Sequence, residues 1–311
     1  MMQKQKVSFK QRVEYIFFMA FVGVLKISPM FMFGIYRNLV CRLFRRFGKR
    51  HSAIIDRNIN IAFGELPASE AATLKNLIYK HFSSIFLENF YLFVKRKPER
   101  ILKEIEVNNL DILNRALEKK KGVIVFSAHF GNWELIPYIL DRRLDNKVYS
   151  IAREMDNPLV ENVVKRFREY MGSNIIYKKG AMRSILKLLG KNNIIFLLTD
   201  QNTVPREGVF VDFFSQKVSA VTSVSQIHLK KGVPVVPVFL HYREKRIVMD
   251  LYPEVQFSPS DDYEHDVQEL TQICTSMIEE QIRKYPEQWF WFHNRWKTRP
   301  ENQEGGIANE A

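Results

Sequence analysis

Cysteine is nearly absent from this chain. Only Cys41 and Cys274 occur in 311 residues, far apart and without ligand spacing. No disulfide framework can be drawn from them, and a reducing compartment is expected. The seven histidines show no pairing with each other or with cysteine that would suit a metal, so no metal site and no cofactor is expected. No internal repeat and no low-complexity stretch is present. Acidic residues are almost missing from the first fifty positions, where Glu14 stands alone against eleven lysines and arginines. The apolar stretch in that segment is followed by no small-residue cleavage site and is broken by Lys26 and Pro29, which is unlike a cleaved signal peptide.

What is present is a globular composition, 46% hydrophobic and 26% charged, long enough for one large domain or two small ones. The net charge of +13 belongs to the N-terminus, because the remainder is nearly balanced. A local basic excess suits an anionic surface, either membrane or nucleic acid. Residues 15–25 are apolar apart from Gly23, and 29–35 continue the run after Lys26 and Ser28. The whole is close to a bilayer's span, but Lys26 and Pro29 leave a helix lying in the interface as a competing arrangement. Residues 37–50 then place Leu39, Val40, Leu43, Phe44 and Phe47 at helical spacing between arginines, a basic amphipathic helix suited to anionic lipid. The pattern divides the chain into a membrane anchor at 1–50, a catalytic domain at 51–300 and a polar tail at 301–311.

Beyond residue 68 a long helix is expected to about Lys95. From residue 105 strand-like runs at 105–107, 122–126, 148–152, 174–177, 194–199, 234–240 and 246–251 alternate with helical stretches, and 262–284 reads as a last long helix. Such alternation predicts an α/β fold, a central, mostly parallel sheet flanked by helices. Sites in such sheets gather at the carboxyl ends of strands. Three polar clusters fall there: His129 to Glu134 after 122–126, Arg153 after 148–152, and Asp200-Gln201 after 194–199.

The first cluster reads Ser-Ala-His-Phe-Gly-Asn-Trp-Glu at 127–134. An imidazole can take a proton from a hydroxyl near neutral pH. A carboxylate one helical turn on, Glu134, can hold its tautomer and stabilise the imidazolium. That pairing suits acyl transfer to an alcohol. Plainer uses compete: Arg153 as a surface partner of Glu154 or Asp156, Asp200 as the cap of a turn, 209–214 as core, and the aromatics at 289–292 and 296 as packing. Arg183, Lys187 and Lys191 read as a solvated helix face.

Taken together, His-Phe-Gly-Asn-Trp-Glu at 129–134, Ala152-Arg153 with Asn157-Pro158, Asp200-Gln201 with 208–214, and Pro286-Glu287-Gln288 with 296–300 resemble the late acyltransferases of lipid A biosynthesis, the lauroyl and myristoyl transferases of Gram-negative bacteria, within the wider lysophospholipid acyltransferase-like group. The likeness covers nearly the whole chain. It departs at Asp212 and Ser215, where that family often carries Pro and Gly. The resemblance implies a glycerolipid-acyltransferase-like fold with an N-terminal membrane-associated helical segment. It implies transfer of a fatty acyl group from an acyl carrier protein thioester to a hydroxyl of a membrane glycolipid, a lipid A precursor. His129 would be the general base and Glu134 its orienter, with Asn132, Trp133, Arg153, Asp200 and Gln201 facing substrate. The oxyanion donors would be backbone N–H groups at 131–133 or Arg153. The expected partners are the acyl carrier protein, the acceptor and the inner membrane, with the catalytic domain on its cytoplasmic face and no nucleic acid. Other readings are an acyltransferase for a lysophospholipid or mannosyl glycolipid, an inactive membrane-binding module, and last a nucleic-acid binder.

Overall fold

A computed structural model describes residues 7–95, 104–170, 172–178, 180–244 and 246–300. The expected polar tail at 301–311 lies outside the described residues. Four helices come first: α1 (Phe9–Ile27), α2 (Phe33–Phe47), α3 (Lys49–Phe63) and α4 (Ala68–Lys95). Strands and helices then alternate: β1 (Ile105–Asn108), α5 (Leu110–Glu118), β2 (Val123–Ser127), α6 (Leu135–Arg143), β3 (Val148–Ala152), α7 (Pro158–Tyr170), β4 (Asn174–Tyr177), α8 (Ala181–Leu189) and β5 (Ile194–Leu198). A hairpin follows, β6 (Gly208–Phe213) and β7 (Gln216–Val221). Then come α9 (Ser223–Lys231), β8 (Val235–Arg243), β9 (Arg246–Leu251) and α10 (Tyr263–Lys284), followed by a short turn at Pro286–Gln288 and a segment without regular structure to residue 300.

The central sheet has seven strands in the order β1-β9-β8-β2-β5-β3-β4. All neighbours are parallel except β8 and β9. The expected mostly parallel sheet flanked by helices is therefore present. Its inner strands are covered on both sides, which is why they read as unbroken apolar runs. Successive residues of β2 serve opposite faces. Ile124 and Phe126 pack with α8, α9 and α10, whereas Val123 and Val125 pack with α5 and α6.

The topology fixes where a site can form. From β2 the chain crosses over β5 to β3, and after β5 it returns to the other side of β2. The connections thus diverge at β2 and β5, which opens a crevice beyond their carboxyl ends. Ser127 lies beside Leu198 in their register, so residues two past each strand end are neighbours.

The N-terminal segment differs from a spanning anchor. α1 stops at Ile27, where Ser28 and Pro29 interrupt the apolar run. Among the described residues no helix is long and apolar enough to cross a membrane. Instead α1 and α2 lie against α4, with Leu25, Val40, Leu87 and Tyr91 buried between them. The basic amphipathic helix expected at 37–50 is α2, but it ends at Phe47. Gly48 opens a further helix, α3, that apolar spacing did not suggest. The hairpin β6–β7 was also not among the expected strands.

Candidate active site

Residues 128–134 leave β2 as a tight loop. Gly131 has φ +54°, and a Cβ there would stand 1.7 Å from the Leu240 carbonyl oxygen of β8. Only glycine fits so close an approach. The loop is also pinned by the C-terminal segment. Gly131 N–H donates to Gln288 O (2.9 Å) and Phe290 N–H to His129 O (2.9 Å). The Gln288 side chain in turn grips β8, exchanging two hydrogen bonds with the backbone of Tyr242, each 2.8 Å. Gly131 N–H is therefore already engaged and is not a free oxyanion donor.

His129 faces Asp200, which leaves the neighbouring strand β5. His129 Nδ1 lies 2.8 Å from Asp200 Oδ1, and His129 N–H donates to Oδ2 at 2.9 Å. Trp289 Nε1–H donates to the same Oδ2 at 2.8 Å. Asp200 is buried. Burial alone would raise its pKa, but the facing His129 charge and the hydrogen bonds from His129 and Trp289 outweigh it and hold the carboxyl down at about 2. An ionised carboxylate only accepts, so in the neutral imidazole the proton sits on Nδ1 facing Asp200 and Nε2 carries the lone pair. Gln201 Nε2 lies 3.4 Å from that His129 Nε2. Trp133 and Phe290 flank the imidazole, with ring centroids 5.1 and 6.0 Å away.

This geometry changes the expected division of labour. Glu134 does not hold His129. Its carboxylate forms a two-pronged pair with Arg168 of α7, at 3.2 Å from Nε and 2.7 Å from an NH₂ nitrogen. Burial would lower the Arg168 pKa, but the Glu134 charge and hydrogen bonds raise it overall. The partner that sequence spacing assigned to Glu134 is Asp200, 71 positions from His129 and adjacent through the sheet. Arg153 turns to solvent instead. Its side chain is 85% exposed, with Asp156 3.7 Å away, which matches the plainer surface-pair use. Asn132 is fully buried in the loop.

The supporting shell comes from the C-terminal block. Asn202 N–H donates to His293 Nε2 (2.9 Å), and the Asn202 side chain pairs with Thr298. Arg295 is buried under Phe213 and donates to the carbonyls of Gln201 and Ser219. Desolvation brings the Arg295 pKa down to about 10 despite Asp200 nearby. On the far side Asn58 of α3 donates to the carbonyls of Trp291 and His293. Residues 288–298 thus fasten the His129 loop to the Asp200 loop. Their aromatic run reads as plain core in sequence, and the packing part of that is correct, since Trp289, Trp291 and Trp296 are all buried. The donor role of Trp289 had no local signal.

A buried, ionised carboxylate orienting an imidazole that keeps its other nitrogen for a proton is a general-base arrangement. Among the described residues no group of three or more His, Cys, Asp or Glu side chains could hold a metal ion. Comparison with known proteins agrees with an acyltransferase. The lipid A biosynthesis lauroyltransferase of Escherichia coli (strain K12) is 25% identical over 290 residues, 90% of this chain and 91% of its own. The palmitoleoyltransferase of the same strain is 26% identical over 263 residues, 82% of each chain. A phosphatidylinositol mannoside acyltransferase of Mycolicibacterium smegmatis (strain ATCC 700084 / mc(2)155) is 24% identical over 247 residues, 77% of this chain and 78% of its own. The family model for bacterial lipid A biosynthesis acyltransferases matches residues 2–298, so this chain belongs to that family.

Proposed function

We propose that this enzyme moves a fatty acyl group from an acyl carrier protein thioester to a hydroxyl of a lipid A precursor, with His129 as general base and Asp200 as its orienting carboxylate. The observation that carries the reading is the Trp289–Asp200–His129 chain at the diverging ends of β2 and β5. His129 Nε2 takes the proton of the acceptor hydroxyl as its oxygen attacks the thioester carbon. The tetrahedral intermediate collapses, the C–S bond breaks, and the proton passes to the departing sulfur. The Gln201 amide beside Nε2 is placed to donate to an oxygen bound there. No covalent acyl-enzyme is needed.

The acceptor is a bilayer lipid, and the N-terminal helices suit an interface. α1, α2 and the turn between them expose Ile16, Phe17, Ile27, Phe31, Ile35 and Phe47, within a segment carrying eleven basic residues. Exposed apolar side chains among cations suit shallow docking on anionic lipid rather than crossing it. The cytoplasmic face of the inner membrane is where an acyl carrier protein and this acceptor would meet.

The test is incubation of purified enzyme with acyl carrier thioesters and a lipid A precursor, followed by mass spectrometry. Addition of one acyl group to the precursor is the expected result. Because a mannoside acyltransferase is among the relatives, a phosphatidylinositol mannoside is the control acceptor, and acylation of it alone would replace the lipid A assignment.

A further inference from the structure

A second polar cluster meets the loop of residues 128–134, and the mechanism above makes no use of it. Tyr242 of β8 donates its hydroxyl proton to the Glu88 carboxylate of α4. The Asn132 side chain of the loop approaches both groups without closing a well-formed hydrogen bond to either, and its amide has no other partner among the described residues. Glu88 and Tyr242 are only partly buried as whole residues. Their polar ends are shut off from water, and that burial is the main reason why the pKa of each is raised. His81, seven residues before Glu88 on α4, sets its ring edge-on to Tyr242, with centroids 5.4 Å apart. Burial holds the His81 pKa down at about 4, so it brings no charge near neutral pH.

Such a cluster is a costly way to fill space. Desolvated polar partners often stabilise a fold no better than apolar side chains of the same shape. What they add is direction, because hydrogen bonds form along narrow lines. The element they meet is the one that must be held in place. Asn132 is fully buried. On one side of it Gly131 is tied to Gln288 O, and the Gln288 side chain is bonded to the Tyr242 backbone. On the other side Trp133 stands edge-on to the His129 imidazole. Tyr242 therefore reaches the loop twice, through its main chain by way of Gln288 and through its hydroxyl by way of Glu88. A shift of Asn132 would move Trp133, and with it the ring that flanks the base.

Resting on the acyltransferase reading above, we propose that Glu88 and Tyr242 are positioning residues for the transfer: through Asn132 they hold the loop in the register that sets His129 against the acceptor hydroxyl. A displacement of about 1 Å at a reacting group can cost about a hundredfold in rate, so a pair that touches no substrate can govern kcat.

The experiment pairs Glu88→Met with Tyr242→Phe, which removes both polar groups together and nearly keeps their shape. Tm should stay or rise, since an apolar replacement of a desolvated polar pair is often neutral or stabilising. The value of kcat should fall by about 10- to 100-fold while KM for donor and acceptor stays within about twofold, because loop position acts on the transition state. In an Asn132→Ala background the same paired change should cost less than about twofold more, because the pair works through Asn132. Wild-type kcat in the paired variant, with thermal unfolding intact, would overturn the proposal. So would losses that multiply fully with Asn132→Ala, and so would a fall of Tm in step with kcat, which would make the pair a plain part of the fold. If the paired variant does not fold, Tyr242→Phe alone, the loss of one oxygen, is read by the same measures. A readout without turnover separates the proposal from the reading it rests on: carbethoxylation of His129 by diethyl pyrocarbonate, followed by peptide mass spectrometry. The paired variant should be modified at least about threefold faster than wild type, as a loop less firmly held opens more often. If wild type transfers no acyl group while that difference holds, the acyltransferase reading fails and the hold on His129 stands. Equal modification rates without transfer would overturn both.

Discussion

At the scale of single residues, His129 and Asp200 act as one unit. His129→Ala should lower kcat by about 10²–10⁴-fold, the usual share of a positioned proton transfer. Asp200→Asn should cost a similar factor by losing the tautomer that frees Nε2. The two variants together should be little worse than either alone, since residues acting as a unit are not additive. Glu134→Gln, by contrast, should leave the pH profile of kcat in place, because Glu134 contacts Arg168 and not the imidazole. A shift of that profile comparable to the one in D200N would restore Glu134 as the orienter. Stability carries the same signature. The Asp200 pKa is depressed in the fold, to about 2, below the ordinary carboxylate value near 4. Its ionised form therefore stabilises the fold fully above about pH 4 and loses that contribution as pH falls toward 2. Denaturation midpoints of wild type and D200N should differ above about pH 5 and should converge as pH falls below about 4. Trp289→Phe removes one donor from this buried carboxylate and should cost about 1–3 kcal/mol, with a smaller activity loss than D200N.

At the scale of elements, two tight turns give predictions of opposite sign. Gly131→Ala puts a methyl group against the Leu240 carbonyl, so the loop must move. A loss of about 2–3 kcal/mol and of most activity is expected, read by calorimetry and the acyl-transfer assay. The hairpin β6–β7 turns through Phe214 and Ser215, both left-handed at φ +52° and +57°. Two such residues in a two-residue loop make the turn type that usually carries Asn-Gly. Phe214 is kept there by burial against Trp296 and by Arg283 over its ring, 4.5 Å away. Ser215 has no such reason in the structure, so Ser215→Gly should relieve strain and raise Tm by about 2 °C.

These elements also show what could be read in advance. The sheet strands were legible because both faces of β2, β5 and β8 are buried, and such strands are apolar without interruption. The hairpin was not. A Phe-Ser turn carries no Gly or Asn signal, and its strands hold charged residues, Asp212 and Lys217, which pair on the outside. α3 was hidden because the basic helix was read on to residue 50, through Gly48, which in fact ends one helix and starts the next. His129 was legible at the end of its strand, and so was Asp200 as a polar residue at an equivalent strand end. Their pairing was not, because it depends on β2 and β5 being neighbours, a property of strand order. Helical spacing offered Glu134 instead, and tertiary contact with Arg168 on α7 draws it away.

At the scale of the molecule, the N-terminal helices are part of the folded body and not a detachable anchor. Leu25 and Val40 are buried against α4. Gln11 donates to Asp156 O, and Asn157 donates to Gln11 O and Glu14. Deleting residues 1–50 would strip the cover from α4, so loss of membrane binding in such a protein would be inseparable from misfolding. Substitutions on the exposed face avoid this. Phe17, Ile27 and Phe31 are 71%, 84% and 81% exposed, and replacing all three with Ser should leave thermal unfolding nearly unchanged. If these side chains enter the lipid interface, each contributes on the order of 1–2 kcal/mol of transfer free energy. The triple variant should then bind anionic phospholipid vesicles at least about a hundredfold more weakly in sedimentation. Salt should discriminate the second contribution. Wild-type binding should weaken from about 0.05 to 0.5 M NaCl as the arginines of α2 are screened. The triple variant should be released completely at the higher concentration, having lost both terms. Activity should follow the same division: acceptor embedded in vesicles should be acylated poorly by the triple variant, and acceptor dispersed in detergent at nearly the wild-type rate. Equal losses on both forms of acceptor would mean that α1 and the turn after it act on the catalytic site, and the exposed apolar face would need another purpose.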